Sequence, residues 1–319
     1  MFERIVLVTR KTRLEGLIER FNTRAQAKFY IEHSGGNFLQ YQEEHDVYSE
    51  ALSRLRKELC LGLKTLVTDV SLIPNVLFSK KDLIVTVGQD GLVANTAKYV
   101  GEQPIVAINP DPIRFDGILL PFGVSEGRRA VSAVIEEKAA EKKVTLAEAQ
   151  LKDGQRLLAF NDLYVGVRSH TSARYRLQWR GKKEQQSSSG LIISTGAGST
   201  GWLSSVVNMT QGMAAFLGHK PKNKLQFNLE WDSPKLVFVV REPFASRHSE
   251  ANIVAGVIEE GTTLSLESNI PSGGCIFSDG IQADFLDFNA GTIAQIGVAD
   301  HRARLVVPSA YEQRESYNE

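Results

Sequence analysis

Residues 82–109 read DLIVTVGQDGLVANTAKYVGEQPIVAIN, and the fold is decided there. Two short apolar runs, DLIVTVG (82–88) and PIVAIN (104–109), enclose a helix pattern, GLVANTAKYV (91–100). Nearly continuous, β-branched runs read as strands buried on both faces, and strand–helix–strand is the repeating unit of a parallel sheet. Toward the N-terminus, RIVLVT (4–9) and TLVTDV (65–70) are strands of the same kind. Two helical faces lie between them. Leu14, Leu17, Ile18, Phe21, Ala25 and Phe29 share one; Tyr48, Ala51, Leu52, Leu55 and Leu59 share the other, with Gly62 at its stop position.

Toward the C-terminus the grammar changes after about residue 122. One amphipathic helix, near 125–143, carries Val131, Val134, Ile135 and Ala139, with Ser125 as its expected N-cap. Short strands then dominate. TLAEAQL and RLLAFNDLYVGV flank Asp153-Gly154, a hairpin signal, and RYRLQWR turns at Gly181. KLVFVVREP, TTLSLES, GGCIFSDG, IAQIGV and ARLVVP follow, interrupted by a helix over about 200–217 with Trp202, Val206, Met213 and Leu217 on one side. QQSSSG (185–190) is a short polar stretch. The fold class is therefore an α/β N-terminal domain with a parallel sheet plus a mainly β C-terminal domain.

Length and charge agree with two such domains. The chain has 319 residues, 42% of them apolar, and 37 basic residues balance 37 acidic ones. That balance argues against a protein that grips nucleic acid or an anionic membrane through its net charge. Cys60 and Cys275 are its two cysteines and form no CxxC pair, which fits a reducing compartment and leaves no thiolate zinc site. The N-terminus, MFERIVLVTRK, lacks a secretory core, and no run reaches the ~20 apolar residues of a spanning helix, so the chain reads as cytoplasmic. The six histidines follow no metal-ligand spacing and no metal site is expected. There is no GxxxxGK[ST] either, so a P-loop is excluded.

Three constellations could carry chemistry. Gly196–Gly201 (GAGSTG) is a literal GxGxxG, but a dinucleotide fingerprint needs an acid roughly 20 residues on, and the next acid is Glu230. With the Rossmann reading rejected, two remain: an anion or polar-ligand site using Ser199 and Thr200 at a helix N-terminus, or a tight turn with Thr200 as N-cap. Gly88-Gln89-Asp90-Gly91 follows a strand and opens a helix, at the sheet edge where α/β proteins bind ligands. Its glycines would admit a phosphate and its carboxylate could take a proton from a hydroxyl; the alternative is a plain Asp N-cap in an Asp-Gly turn. Asn161-Asp162 interrupts an apolar strand, as a nucleoside-binding amide and carboxylate or as an exposed bulge. RGKK (180–183) and KPKNK (220–224) read as solvated basic loops.

Taken in order, these elements resemble the NAD kinase family, which shares its fold with diacylglycerol and sphingosine kinases, and within it the mitochondrial-type branch. The family's GGDGT is similar to Gly88-Gln-Asp-Gly-Leu92, its Asn-Glu pair to Asn161-Asp162, and its Ser-Thr-Pro-Thr-Gly-Ser-Thr-Ala-Tyr segment to Ser194–Trp202. INPDP (108–112), SSSGLIISTG (187–196), REPF (241–244) and FSDG (277–280) support the likeness.

The resemblance implies an α/β domain over 1–122, joined by about 303–319, and a sandwich-like NAD-binding domain over 123–302, with the nucleotide site between them. It implies ATP-dependent phosphorylation of the adenosine-ribose 2′-hydroxyl of NAD(H), with Asp90 activating that hydroxyl. Gly88, Gln89 and Gly91 would face the phosphates; Asn161 and Asp162 would hold adenosine; Ser199, Thr200, Gly201 and Trp202 would line the same pocket. Mg²⁺ would arrive with ATP, and a homodimer or larger homo-oligomer is implied. Four departures stand out: Gln89 for a glycine, Leu92 for a threonine, Asp162 for a glutamate, and Ser187-Ser-Ser-Gly190 where members carry Arg-Gly-Asp-Gly. They leave two rival functions: a kinase of the same superfamily acting on a sugar or lipid hydroxyl, and a nucleotide-binding homologue that does not transfer phosphate.

Overall fold

The computed structural model describes residues 2–219 and 229–309, and its chain divides into two units, 1–142 with the segment from Arg304, and 143–303. In the first unit the quoted runs form β1 (Arg4–Thr9), β2 (Lys64–Asp69), β3 (Asp82–Val87) and β4 (Pro104–Asn109). Helices α1 (Arg13–Phe21), α2 (Arg24–His33), α3 (Phe38–Glu58) and α4 (Asp90–Ala97) connect them. The strands lie parallel in the order β2-β1-β3-β4, and β5 (Phe122–Gly123) extends the edge beside Ile108 and Asn109. β3 and β4 are buried along their whole length, as strands covered on both faces must be.

That strand order has a consequence for binding. The chain leaves β1 to one side to make β2 and then crosses to the other to make β3. Between the carboxyl ends of β1 and β3 is thus a topological switch point, the place where open α/β sheets hold ligands. Gly88 follows β3 there, and Arg10 follows β1.

Three details differ from the periodicity. The face from Leu14 to Phe29 is broken: Asn22 takes a left-handed φ of 66°, Thr23 caps a new helix, and Phe29 is left 62% exposed. An Asn in that conformation ends a helix without the penalty other side chains incur. The helix expected near 125–143 is α5 (Gly127–Ile135), entered through a 3₁₀ turn with Glu126 rather than Ser125 at the cap position. Its Ala130, Val131 and Val134 are buried in the same cluster as Ile5, Leu83 and Ile108. This helix therefore belongs to the α/β core, and the division between units falls after Lys142, where the change of grammar placed it near 122.

The second unit begins within β6 (Ala140–Leu151) and continues through β7 (Arg156–Ala159), β8 (Asp162–Val167), β9 (Ala173–Trp179), β10 (Lys182–Ser188) and β11 (Leu191–Ser194). After α6 (Trp202–Phe216) come β12 (Lys235–Val240), β13 (Ala255–Glu259), β14 (Leu264–Ser268), β15 (Gly274–Ser278), β16 (Ile281–Asp287) and β17 (Ile293–Val307). One antiparallel sheet runs β13-β12-β11-β8-β15-β16; β10, β9, β14 and β17 form a second antiparallel set, with β6 pairing β7 and β17. Alternate residues of both, among them Leu163, Val165, Tyr175, Leu177, Phe238 and Leu266, share one apolar core, the arrangement of a sandwich.

The Asp153-Gly154 hairpin forms as expected, with Ala147 opposite Ala159, and the turn at Gly181 joins β9 to β10. QQSSSG is mostly strand. It supplies most of the end of β10, where buried Ser188 lies 2.7 Å from the Tyr175 hydroxyl and buried Gln186 donates to the Ile253 carbonyl. IAQIGV and ARLVVP are one strand, β17, whose Arg304 and Leu305 pair in parallel with Pro104 and Ile105 of the first unit's sheet. Along α6 only Leu203 is buried, while Met213 and Leu217 are more than half exposed. KPKNK lies outside the described residues. No helix among the described residues is long and apolar enough to cross a membrane.

Candidate active site

The glycine turn of the first unit is built by the end of β3. Gly88 is buried, and a Cβ there would come within 2.8 Å of the Leu92 side chain and 3.5 Å of Arg10 Cδ. Leu92, the residue that stands for a threonine, is itself buried beneath the turn and offers no hydroxyl. Gln89 occupies the N-cap position of α4 with no side-chain cap bond, so its amide is not spent on the helix. Asp90 is the first helical residue. Its Oδ1 accepts the Leu119 N–H at 2.6 Å, which fixes the carboxylate at the mouth of the turn. Gly91 is exposed and a Cβ there would meet nothing within 4 Å, so open space faces the first turn of α4. Unsatisfied N–H groups and the helix dipole make that space favourable for an anion.

The loop that holds Asp90 grows from INPDP. Buried Asn109 accepts from the Asp111 N–H and donates to the Phe115 carbonyl, both at 3.0 Å, and so shapes the segment leading to Leu119. On the other side Arg10 is held between the Tyr48 and Phe115 rings, 5.1 and 5.9 Å from their centroids, and pairs with Glu44 at 3.1 Å. Neither Asn109, Leu119 nor Arg10 was singled out by the sequence. The signal for Asn109 was its place in INPDP, at the end of a strand neighbouring β3. Leu119 acts through its backbone, which no side chain advertises.

In the second unit the polar pair and the glycine segment meet. Asn161 and Asp162 sit where β7 bends into β8, and the backbone amides of Phe160, Asn161 and Asp162 donate to the Asp279 carboxylate at 3.0, 2.6 and 3.3 Å. Asp279 belongs to FSDG and adopts a left-handed φ of 51°. Thr195 closes the other side: its hydroxyl donates to the Phe160 carbonyl at 2.6 Å and its amide to the Asn161 carbonyl at 2.9 Å. The bend is therefore held by backbone bonds, and the Asn161 amide and Asp162 carboxyl bond no other described side chain. Burial, and then the charge of Asp279, push the Asp162 carboxyl up to about 7.

The segment Gly196–Gly201 forms a 3₁₀ turn, residues 197–200, ahead of α6. A Cβ at Gly196 would overlap the Glu230 carbonyl, and one at Gly198 would overlap the Asn161 carbonyl. Thr200 is not a cap; Gly201 holds that position and makes no side-chain bond. Ser199 is buried and its hydroxyl donates to the Gly196 carbonyl at 2.7 Å, which spends its proton within the turn. Thr200 and Gly201 are exposed, and Trp202 stacks on Tyr164 with 5.8 Å between ring centroids. The structure thus gathers Gly88, Gln89, Asp90 and Gly91 in one unit, and Asn161, Asp162, Thr200, Gly201 and Trp202 on one unit's turns in the other. Among the described residues no three His, Cys, Asp or Glu side chains cluster as a metal cage.

No protein-family profile matches the chain, and no curated protein matches it in sequence. Solved structures do. The crystal structure of yeast NADH kinase complexed with NADH aligns with 100% of this chain over 87% of its own, at a TM-score of 0.59 and 16% identity. An NAD kinase from Archaeoglobus fulgidus in complex with ATP aligns with 98% of this chain over 96% of its own, at a TM-score of 0.55 and 17% identity. The chain accordingly has an NAD kinase-like fold, reached at a sequence distance where fold is shared and side chains are mostly not.

Proposed function

We propose that this chain is an ATP-dependent phosphotransferase that moves the γ-phosphoryl group of MgATP to the adenosine-ribose 2′-hydroxyl of NAD or NADH. One observation carries the reading: a carboxylate, Asp90, fixed by the Leu119 amide beside an open glycine turn at the switch point of the parallel sheet. Phosphoryl transfer asks the protein mainly for positioning and electrostatic stabilisation, which a helix N-terminus and a glycine turn provide. Asp90 Oδ1 is held by the loop, and the remaining oxygen accepts the 2′-hydroxyl proton as the hydroxyl oxygen bonds to the γ-phosphorus and the bond from that phosphorus to the β-phosphate oxygen breaks, releasing ADP. Asn161 and Asp162 orient the adenosine half, with Thr200, Gly201 and Trp202 as its wall. Mg²⁺ enters on the phosphates of ATP as part of that substrate. The fold shared with the two kinases supports the reading.

A coupled assay with ATP, Mg²⁺ and NAD or NADH tests it. Production of NADP(H) that vanishes in Asp90→Asn is the expected result. No product at high enzyme, or full activity in that variant, would overturn it. Leu92, buried and without a hydroxyl, favours a second reading, a nucleotide-binding protein without transfer. That reading requires thermal stabilisation by NAD or NADP with no turnover.

A further inference from the structure

Gly88 and Asn109 stand at the carboxyl ends of β3 and β4. A hollow of about 570 Å³ lies at the amino ends of the same strands, where Lys80 and Lys81 precede β3 and Pro104 opens β4. Open α/β sheets hold nucleotides at the carboxyl ends, so this hollow is separate from the glycine turn described above. Half-buried Phe2, together with buried Val134 and Pro104, gives it an apolar wall.

Its charged groups can be accounted for one by one. Arg304 forks onto Glu141 with bonds of 2.6 and 2.9 Å and donates to the Glu102 carbonyl at 2.8 Å. Lys81 pairs with Glu3. Two groups of opposite sign remain, Lys80 and Glu137. Both line the hollow, and neither makes an ion pair or side-chain hydrogen bond with a described residue.

Both stand on fixed backbone. The Ser79 N–H donates to Asp82 Oδ2 at 2.8 Å. The Ser79 carbonyl accepts from the Asp82 N–H at 2.9 Å and from Gln103 Nε2 at 3.0 Å, which locks the turn that carries Lys80. Glu137 ends α5 in a Schellman motif: its N–H donates to the Val134 carbonyl at 3.1 Å, and the Lys138 N–H to the Ala133 carbonyl at 2.8 Å. Its φ of 57° favours glycine, and the negative end of the helix dipole disfavours an acid. Glycine would avoid both penalties, so this carboxylate answers to something other than the helix.

We propose that the hollow binds a free α-amino acid with an apolar side chain. The ligand's carboxylate meets the Lys80 ammonium, its ammonium meets the Glu137 carboxylate, and its side chain packs on Phe2 and Val134. A ligand with one charge would leave one of the two protein groups unpaired, whereas a zwitterion pairs both. The volume lies within the range of small-molecule sites. The site is independent of the phosphoryl transfer proposed above, and its test uses no turnover.

Calorimetric titrations of the full chain with leucine, leucinamide, 4-methylpentanoate and glycine test it. Leucinamide lacks only the carboxylate, 4-methylpentanoate lacks only the ammonium, and glycine lacks only the side chain. Leucine is expected to bind at least tenfold more tightly than each of the three. Lys80→Met is expected to erase the preference over leucinamide, and Glu137→Gln the preference over 4-methylpentanoate. Glu137→Gly separates binding from structure: it should raise the melting temperature, because glycine suits the left-handed position, and weaken leucine at least tenfold. No saturable binding of leucine, equal affinity for leucine and any of the other three, or unchanged leucine affinity in Lys80→Met or in Glu137→Gly overturns the proposal. If a variant does not fold, the ranking of the four ligands on the unaltered chain decides.

Discussion

Two glycine turns in this molecule look alike in sequence and are opposite in physics. In Gly196–Gly201 the first two glycines answer to the protein itself: a Cβ at 196 or 198 would strike the backbone of Glu230 or Asn161. In Gly88–Gly91 the last glycine answers to nothing in the protein, because the space beside it is open. A glycine in the first turn of a helix costs stability relative to alanine, so one that no neighbour requires points to something outside the chain. The literal GxGxxG is thus a fastener for the Asn161–Asp162 bend, and the less regular GQDG is the feature with room for a phosphate. A motif's regularity in sequence says less about its purpose than what its missing Cβ would touch.

The strongest way to break this comparison is Gly198→Ala. The overlap is with backbone, which cannot give way as a flexible side chain can, and loss of at least about 3 kcal/mol of stability is expected. Chemical denaturation would measure it; a variant as stable as the parent would mean that the segment is not a fastener. Asp90→Asn comes next and acts on the other turn. Asparagine keeps an oxygen for the Leu119 N–H, so the fold should hold while the base is lost, lowering kcat by roughly 10²–10⁴-fold. A drop in melting temperature that matched the drop in rate would reassign Asp90 to structure.

The third test concerns the bend that the 196–201 turn fastens. With the Asp162 carboxyl at about 7 in the folded chain and near 3.8 unfolded, the folded state holds its proton more tightly. Its contribution to stability is complete below pH 3.8 and is lost as pH rises through 7. Stability should fall by on the order of 2–4 kcal/mol across that window, and Asp162→Asn, which has no proton to lose, should flatten the profile. Denaturant titrations at pH 4.5, 6 and 8 read this directly. A parent profile no steeper than that of the variant would show that burial and the charge of Asp279 do not raise the Asp162 carboxyl.

Much of this was legible in the chain. β1, β3 and β4 were visible because strands buried on both faces leave no polar interruption, and the Asp153-Gly154 hairpin announced itself by turn chemistry. What was illegible was set by contacts distant in sequence. Asn22 breaks a helical face that hydropathy alone runs straight through to Phe29. Ser125 has the chemistry of a cap, but a 3₁₀ turn moves the cap one residue on, to Glu126. Asp279 supports Phe160 to Asp162 from 117 residues away, and Leu119 anchors Asp90 through an amide that every residue possesses. Candidate ligand groups could be named from residue type; the groups that hold them in place could not, because their role lies in the backbone and in tertiary position.

The smallest expected change in stability comes from Gly91→Ala, and it is the sharpest test of the contrast because its two effects have opposite sign. Alanine here meets no atom within 4 Å, and the glycine is exposed at the second position of α4, so the helix should gain up to about 1 kcal/mol. The new methyl group, however, occupies the space through which a phosphate would approach the first turn. The KM for ATP should rise, by about tenfold if one close contact worth ~1.4 kcal/mol is displaced, while the KM for NAD changes little. Gly198→Ala, by contrast, should weaken folding and function together. If Gly91→Ala destabilised the chain, the open space would not be open. If it gained stability and left the KM for ATP unchanged, the turn would be free of ligand, and the phosphate would have to be sought at another edge of the sheet.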